Sequence, residues 1–300
     1  MDMLTKKYRN EFIQGVSMVD IQHFVPCSNK IIEFEEQKQI SILEWNEDIF
    51  KEFMLSIESK GQSFLFRAKK CLNDFMAFIA EKEGVIAPIF TVLDGEMVNY
   101  IAQDEVLEVT ISFDDYKNII PQIINVRDRV LVELGWLPMQ ADDIQHLKVT
   151  DIESIYKDEI VVALTLHGKS KDYIVEDNNI IKDIQECVRC TEYIDSTKNS
   201  VPKIYALRDT PYLLKTVNVG RSSESKYLKY PYKALHAALS DVKISGVNIK
   251  DLTFDDLKRS KIVYLLSQGF SPAKIAEKYG IILQTVRNLR YLVDLKYPKG

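Results

Sequence analysis

The sequence predicts a mainly α-helical protein with a small β-sheet. Across Ile31–Ile57, apolar residues recur at spacings of three and four among charged residues, which is the period of amphipathic helices. β-Branched residues concentrate instead in one short run, Ile160–Leu166, before a tight turn at Gly168 and a second run at 172–175. Helical segments before and after a single predicted β-hairpin therefore indicate a mainly α-helical fold with a small sheet.

The chain of 300 residues is long enough for two domains. We predict an N-terminal tail at 1–19 and a helical domain at 20–84, in which Ser63 caps the helix that begins at Phe64. Residues 85–105 contain proline and glycine and are predicted to be a linker. Residues 106–300 form the second domain. Its helices are predicted at 116–134, 142–149, 232–241, 254–268, 272–279 and 283–292.

Charge is distributed unevenly along the chain. The net charge is −5, yet residues 203–300 contain 18 Lys and Arg against 8 Asp and Glu, while the rest contains 21 against 36. This asymmetry indicates a basic segment that faces a polyanion such as DNA. A lysine-rich solvated surface is the alternative. The acidic residues Glu33, Glu35 and Glu36 are predicted to lie on a solvated helix face.

The sequence lacks the features of secreted and membrane proteins. No apolar run approaches the ~20 residues needed to cross a bilayer, and the first residues have no apolar stretch behind their lysines. The four cysteines have no framework spacing, which favours a reducing cytoplasm. Cys187 and Cys190 have the spacing of zinc ligands, but no second pair follows. We therefore expect no metal and no other cofactor.

Three stretches of the second domain carry a resemblance. Residues 127–152, with Met139-Gln-Ala-Asp-Asp-Ile, resemble a helix pair of the form L-R-x-S-E-L-x-x-L-x-x-x-D-I. The turn Leu166-His-Gly-Lys-Ser-Lys171 resembles a lysine-bearing β-hairpin, and residues 252–269 resemble L-T-x-H-x-L-R-H-x-x-A-x-x-L-L-x-x-G. In this order they resemble the tyrosine recombinases, or phage integrases. The resemblance implies an α-helical core-binding domain followed by a catalytic-type domain.

The family cuts DNA with a tyrosine, while two arginines, a lysine and histidine or tryptophan groups hold the phosphate. Guanidinium groups stabilise the charge that grows on the phosphoryl oxygens. In this sequence the first arginine position falls on Gln140 and the second on Lys258, which keeps charge but not fork geometry. The first histidine position falls on Asp255, whose carboxylate repels phosphate, and the next falls on Arg259.

Three further family positions complete the set. The histidine or tryptophan that follows the late glycine falls on Ile281, which cannot donate a hydrogen bond. The hairpin lysine is present as Lys169 or Lys171, and the nucleophile position falls on Arg290 or, with one residue of slippage, on Tyr291. This pattern of loss predicts that DNA binding is kept and cutting is lost. It resembles the recombinase-like phage repressors of the SPbeta group.

Residues 271–292 also resemble a helix-turn-helix. Ala276 stands where two helices pass closely, Gly280 permits the turn, and Val286 packs inward. The segment overlaps the last helices that the recombinase resemblance implies, so both interpretations can describe one structure. An amphipathic helical hairpin in the core is the alternative. The residues predicted to face a DNA groove are Gln284, Arg287, Asn288 and Arg290.

The resemblance implies a sequence-specific DNA-binding regulator, a phage lysogeny repressor on an inactive recombinase scaffold, in the bacterial cytoplasm with the nucleoid. The alternatives are an active recombinase that cuts through Tyr291 and an accessory factor that acts through a regulatory protein partner. Double-stranded DNA is the expected partner, assembly as a homo-oligomer on DNA is left open, and no membrane is involved. The predicted DNA contacts are Arg67, Lys69, Lys70, Lys169, Lys171, Lys258, Arg259, Lys261, Gln284, Arg287, Asn288 and Arg290.

Overall fold

The computed structural model describes residues 4–16, 18–59, 62–91, 97–101, 103–195, 202–217, 228–245 and 249–298. Within them the chain is mostly helical with two small antiparallel sheets, so the predicted secondary-structure class is confirmed. The chain divides into two compact units, Met1–Val106 and Leu107–Gly300.

The first unit is all helical. Its helices are α1 (Leu4–Gly15), α2 (Met18–Lys38), α3 (Glu47–Ser56), α4 (Gln62–Glu83) and α5 (Gln103–Glu108), which runs past the unit boundary. Phe24, Phe50 and Phe75 are fully buried, and α2 packs on α4 along this aromatic core. Asn46 caps α3 by accepting from the backbone N–H of Ile49 at 2.9 Å.

Several predictions for this unit differ from the structure. Residues 4–15 of the predicted tail form α1, whose Phe12 ring lies 4.6 Å from the Phe24 ring and anchors the helix. Helix α4 begins at Gln62, so Ser63 lies in its first turn instead of at the cap. Glu35 is buried and accepts from the Ile42 backbone N–H at 2.7 Å, so it does not belong to a solvated face.

The predicted linker contains buried side chains as well. The Phe90 ring stacks on Phe50 with centroids 4.7 Å apart, and a 3-10 turn runs from Met97 to Tyr100, both of which are buried. Apolar packing therefore fixes parts of a segment whose proline and glycine content predicts a connection. Residues 92–96 and 102 lie outside the described residues.

The second unit is built around one buried helix. Its elements are α6 (Phe113–Ile119), α7 (Val126–Trp136), α8 (Ala141–His146), β1 (Ile152–Lys157), β2 (Ile160–His167), β3 (Asp172–Val175), α9 (Asn178–Arg189), β4 (Glu192–Asp195), β5 (Lys203–Ala206), α10 (Pro231–Leu239), α11 (Phe254–Ser267), α12 (Pro272–Tyr279), α13 (Leu283–Arg287) and α14 (Tyr291–Lys296). Every residue of α7 except Arg129 is buried, and α9, α10 and α11 all pack against it.

The predicted hairpin is present as β2 and β3, which pair antiparallel from Leu164 with Val175 to His167 with Asp172. Strand β1 extends this sheet on the other side of β2, and β4 pairs with β5 in a second sheet. The sequence does not predict β1, β4 or β5. The predicted helix 116–134 is two helices, because Pro121 lies in a 3-10 turn between α6 and α7.

The C-terminal segment folds as two helices around a turn, with a third helix beyond it. Helix α12 ends at Gly280 in the left-handed conformation, at φ 56°, as predicted for the turn. Ala276 and Val286 are buried against each other's helices in a small cluster of their own. The predicted helix 283–292 is interrupted after Arg287. There the backbone N–H groups of residues 289 and 290 bond three residues back, the 3-10 pattern that tightens a helix end.

Candidate nucleic-acid interface

The loop between β2 and β3 is held by one buried carboxylate. Asp143, in α8, is 2% exposed and accepts from the Ser170 backbone N–H at 3.0 Å, the Ser170 hydroxyl, and the Tyr173 hydroxyl at 2.7 Å. Burial raises the pKa of Asp143, but the hydrogen bonds from Ser170 and Tyr173 outweigh it and hold the pKa below its usual value. The loop is therefore fixed relative to α8.

Gly168 makes the tight loop possible. A Cβ at this position would lie 2.8 Å from the Lys171 carbonyl oxygen and 2.9 Å from Asp143 Cγ, closer than such atoms approach. The Gly168 backbone N–H donates to that same Lys171 carbonyl at 3.0 Å. The glycine thus lets the turn close directly over the carboxylate.

The two hairpin lysines point to different surroundings. Lys169 is exposed and pairs with the exposed Asp142, with Nζ and Oδ2 3.2 Å apart. Lys171 Nζ donates to the Tyr279 carbonyl oxygen at the end of α12 and lies 4.8 Å above the Tyr173 ring. Burial and the positive charge of Lys258 lower the pKa of Lys171. Of the two lysines that the sequence leaves open, Lys171 is the one directed toward α11.

Helix α11 contributes two further cations, Lys258 near Lys171 and Arg259 near Tyr291. Its start is a capping box, in which Thr253 Oγ1 accepts from the Asp256 N–H at 3.2 Å and the Asp256 carboxylate accepts from the Thr253 N–H at 3.0 Å. Lys258 is half-buried beside Lys171, and Arg259 Nη1 donates to Asp256 at 2.8 Å. We call Lys171, Lys258 and Arg259 the cationic cluster.

Tyr291 lies next to the cationic cluster, at the start of α14. Burial raises the pKa of its hydroxyl, and the positive charge of Arg259 partly offsets this rise. The net direction is upward, so these surroundings do not activate the hydroxyl as a nucleophile. The single arginine of the cluster is also the one engaged by Asp256.

Three of the other positions implied by the resemblance carry no positive charge. Gln140 is exposed at the N-cap of α8, where its backbone N–H donates to the Tyr173 hydroxyl at 3.3 Å. Asp255 is exposed in the first turn of α11. Ile281 packs against the small C-terminal core. None of these side chains supplies a fork of N–H donors to a phosphate.

Lys261 is placed differently from the other predicted phosphate contacts. Its Nζ lies 5.3 Å from the centroid of the Trp136 ring and 5.4 Å from that of Tyr264. Burial lowers the pKa of this lysine to about 8. The helical period that puts Lys261 one turn after Lys258 also directs it over aromatic rings, where its ammonium is largely withdrawn from solvent.

The predicted groove-facing residues surround the end of α13. Gln284, Arg287 and Arg290 are exposed, and Asn288 is half-buried. Gln284 Nε2 donates to Asn288 Oδ1 at 2.8 Å, which joins two of the four side chains. Gln284 and Asn288 therefore lie side by side in the segment that follows the turn at Gly280.

The basic residues of the first unit lie on α4. Arg67 and Lys70 are exposed, and Lys69 is half-buried, with its Nζ 5.7 Å from the Phe66 ring centroid. Lys70 Nζ lies 4.0 Å from Asp74 Oδ2, a distance at the limit of an ion pair. This short basic face belongs to a separate unit from the cationic cluster.

Sequence reasoning missed the residues that position the cationic cluster. Asp256 has a visible signal, because Thr253-x-x-Asp256 before an apolar run is the pattern of a capping box. Asp143 and Tyr173 have none, since their contact joins residues 30 apart in the sequence. The Tyr279 contact to Lys171 uses a main-chain carbonyl, which every residue carries.

Two findings bear on the other sequence-based expectations. All four cysteines are free thiols, and no group of three or more potential metal ligands occurs among the described residues. No helix in the described part of the chain is long and apolar enough to cross a membrane.

The sequence matches no protein-family model and no curated protein. Among solved structures the chain is similar to XerA recombinase, with 11% identity, 99% of this chain and 98% of that chain covered, and a TM-score of 0.43. It is similar to XerH site-specific recombinase bound to palindromic difH substrate, with 16% identity, 97% and 80% covered, and a TM-score of 0.49. It is similar to the Tn1549 transposon integrase in complex with transposon right end DNA, with 13% identity, 98% of both chains covered, and a TM-score of 0.49. The neighbours are thus tyrosine recombinases and integrases.

Proposed function

We propose that this protein binds double-stranded DNA in a sequence-specific manner and regulates transcription without cutting the DNA. The observation that supports this most directly is the cationic cluster: two lysines and one carboxylate-bound arginine stand beside a half-buried tyrosine. In its pattern of lost catalytic residues the sequence resembles the recombinase-like repressors of the SPbeta group, and the proposal includes that role in phage lysogeny.

Binding is supported by the charges that remain at this surface. Lys258 is half-buried next to Lys171, and each like charge raises the energy of the other. A phosphate between them would relieve that repulsion and release condensed counterions from the DNA. The exposed side chains of Arg287 and Arg290 extend the positive surface. Gln284 and Asn288 are of the types that read base edges.

Loss of cutting is supported by what the same surface lacks. Phosphoryl transfer by a tyrosine requires donors that match the growing charge on the phosphate oxygens. Gln140 is neutral, and Lys258 offers a point charge in place of a planar fork. The raised pKa of Tyr291 works against formation of the phenolate. Removal of one such stabilising group typically lowers the rate by about 10²–10³-fold.

The decisive experiment combines genome-wide footprinting with a binding assay on the sites it finds. We expect discrete promoter sites, and binding that weakens steeply as salt rises. A nicked suicide substrate carrying the same sites should trap no covalent adduct. An adduct that disappears in Tyr291→Phe would overturn the claim that the protein does not cut. Native mass measurement of the same complexes gives the number of subunits on each site.

The role of the cationic cluster is tested by Lys258→Ala combined with Arg259→Ala. Loss of two phosphate contacts should weaken binding about tenfold or more and reduce the slope of log affinity against log salt by about 2. The control is Lys157→Ala with Arg189→Ala, which removes two exposed cations elsewhere in the second unit. An unchanged slope in the cluster variant, with native thermal unfolding, would reject the assignment.

A further inference from the structure

A cavity of about 340 Å³ lies in the second unit between α6, α7 and α9. This volume is in the lower range of small-molecule sites. Its floor is buried and its rim is exposed, so a ligand can enter from solvent. The residues that matter for its chemistry are Phe113, Tyr116, Ile120, Glu133, Asp177 and Asp183.

Glu133 is the unusual member of the cavity wall. It is 1% exposed, and its Oε2 has no hydrogen-bond partner among the described residues. Arg129, one turn earlier on α7, would be its natural partner. Arg129 instead binds Asp183, through Nε at 2.9 Å and Nη2 at 3.3 Å. A carboxyl oxygen with almost no accessible surface is therefore left without a donor next to the cavity, and such a group is costly when unsatisfied.

The surroundings of Glu133 are unfavourable for its negative charge. Burial, repulsion from Asp183 and a hydrogen bond with the Asp183 carboxylate raise its pKa to about 9, although the positive charge of Arg129 opposes the rise. The carboxyl therefore carries a proton at neutral pH, and Oε2 is the oxygen without a donor. The titratable groups that face this carboxyl come from α6, α7 and α9, and they include both signs. They are Tyr116, Lys117, Arg129, Asp177, Lys182, Asp183 and Glu186.

The cations of this set are engaged elsewhere or lie at the rim. Lys117 is exposed and pairs with Asp114 at 2.7 Å, and Lys182 is exposed. The aromatic side chains at the other end are rigid, because Tyr116 stacks on Trp136 with centroids 4.3 Å apart. The cavity thus combines an unpartnered carboxyl with flat apolar faces, and aromatic faces attract cations.

We propose that this cavity binds a small organic amine. Its ammonium group donates to the Glu133 carboxyl, whose side chain turns toward the cavity as the ligand enters, and its apolar body lies against Phe113, Tyr116 and Ile120. Glu133 releases its proton to solvent as the ammonium binds, and no covalent bond forms. The amine provides the hydrogen-bond donor that the Glu133 carboxyl lacks. It also provides a positive charge beside Glu133, where Arg129 does not pair because it binds Asp183. This site is separate from the proposed DNA surface and does not depend on it.

The test uses 2-phenylethylamine and its neutral counterpart 2-phenylethanol, titrated into the full chain by calorimetry up to millimolar concentration. The amine should bind at least about tenfold more tightly than the alcohol, since its hydrogen bond to the carboxylate is charge-assisted. In buffers of different ionisation enthalpy, about one proton should be released per amine bound at neutral pH. Amine affinity should rise from about pH 6 to about pH 8, approaching tenfold per unit.

The matched variants are Glu133→Gln and Glu186→Gln. Glu133→Gln should lose the tenfold advantage of the amine and the proton release, while binding of the alcohol stays unchanged. Glu186→Gln should behave as wild type, because Glu186 contacts Arg129 at 3.6 Å from outside the cavity. No amine binding, equal affinity for amine and alcohol, or full amine affinity in Glu133→Gln would each overturn the proposal. Should Glu133→Gln fail to fold, the pH series on wild type decides the question.

Discussion

Asp143 and Glu133 are two buried acids in the same unit, and their protonation is shifted in opposite directions. Asp143 is 2% exposed and its pKa is lowered, whereas Glu133 is 1% exposed and its pKa is raised to about 9. Burial opposes the charge at both sites. The difference is that three donors converge on Asp143, while Glu133 has an unpartnered oxygen and a second acid, Asp183, nearby. The hydrogen-bond donors at Asp143 and the deeper burial of Glu133 together decide which acid is a structural anchor.

The largest expected effect is at the anchored acid. Asp143→Ala should lower the free energy of unfolding by about 3–5 kcal/mol at neutral pH, because it removes the charged acceptor of three hydrogen bonds, one of them from the buried Tyr173 hydroxyl. A carboxylate with a lowered pKa stabilises the fold above its unfolded pKa of about 3.8 and loses that effect as pH falls through the folded value. The gap between variant and wild type in urea unfolding should therefore narrow in strong acid.

Asp142→Ala is the matched control for the anchored acid. Asp142 is the adjacent acid in the same helix, and its pair with Lys169 is exposed on both sides. Such surface pairs contribute about 0–1 kcal/mol. If Asp142→Ala destabilises as much as Asp143→Ala, the hairpin is not held by the buried carboxylate.

The second largest effect has the opposite sign. Glu133→Gln should stabilise the protein at about pH 8 by about 2–4 kcal/mol and leave it unchanged near pH 4.5. The folded pKa of Glu133 lies above its unfolded value, so the wild type loses stability as pH rises through this window, at up to about 1.4 kcal/mol per unit. Urea unfolding midpoints of both proteins, measured from about pH 4.5 to about pH 8, would show whether the stability difference grows with pH. If the stability of the variant falls with pH as steeply as that of wild type, the prediction is wrong.

A smaller effect is expected in the loop over Asp143. Gly168→Ala should destabilise by about 1–3 kcal/mol, because the new methyl group would meet the Lys171 carbonyl oxygen and Asp143 Cγ at less than 3 Å. Gly15→Ala is the control, because nothing lies within 4 Å of the position that its Cβ would take. Gly84→Ala would not serve, since Gly84 has a positive φ that alanine rarely adopts. Equal thermal stability of Gly168→Ala and Gly15→Ala would show that the loop is looser than its contacts indicate.

The smallest expected effect on stability comes from removing one of the three hydrogen-bond donors to Asp143. Tyr173→Phe removes a single hydrogen bond to Asp143, of 2.7 Å, and should cost about 1–2 kcal/mol. It should also let the pKa of Asp143 rise toward its ordinary value, since one of the groups that lower it is gone. A carboxyl-resolved NMR titration measures this shift directly. An unmoved pKa would mean that the Ser170 donors alone hold the carboxylate ionised.

The sequence predicts the hairpin and most helices of the second unit because each is encoded locally. The β-branched run at 160–166 and the turn at Gly168 define β2 and β3, and Thr253 with Asp256 defines the start of α11. Strand β1 is missed, because Glu153 and Ser154 are weak strand formers and its pairing with β2 comes from the fold. Helix α1 is missed for the same reason, since contacts such as Phe12 with Phe24 hold it in place.

The candidate sites also combine features that the local sequence encodes with features that only the fold creates. The sequence predicts which residues could bind a phosphate, since charge is a property of the side chain. It cannot distinguish Lys169 from Lys171, which are two residues apart on one turn and differ only in what the fold brings next to them. It also gives Glu133 no special status. From the sequence, Glu133 would be expected to form an ordinary ion pair with Arg129, one turn earlier in the same helix. Only the structure shows that Arg129 binds Asp183 instead.

The hydrogen bond between Lys171 and the Tyr279 carbonyl has a consequence for any ligand of the hairpin. An ammonium has three N–H donors, so Lys171 can keep its hydrogen bond to this carbonyl while it donates to a phosphate oxygen. If DNA binds here as proposed, the hairpin and the end of α12, directly before the turn at Gly280, would be held together when the ligand binds.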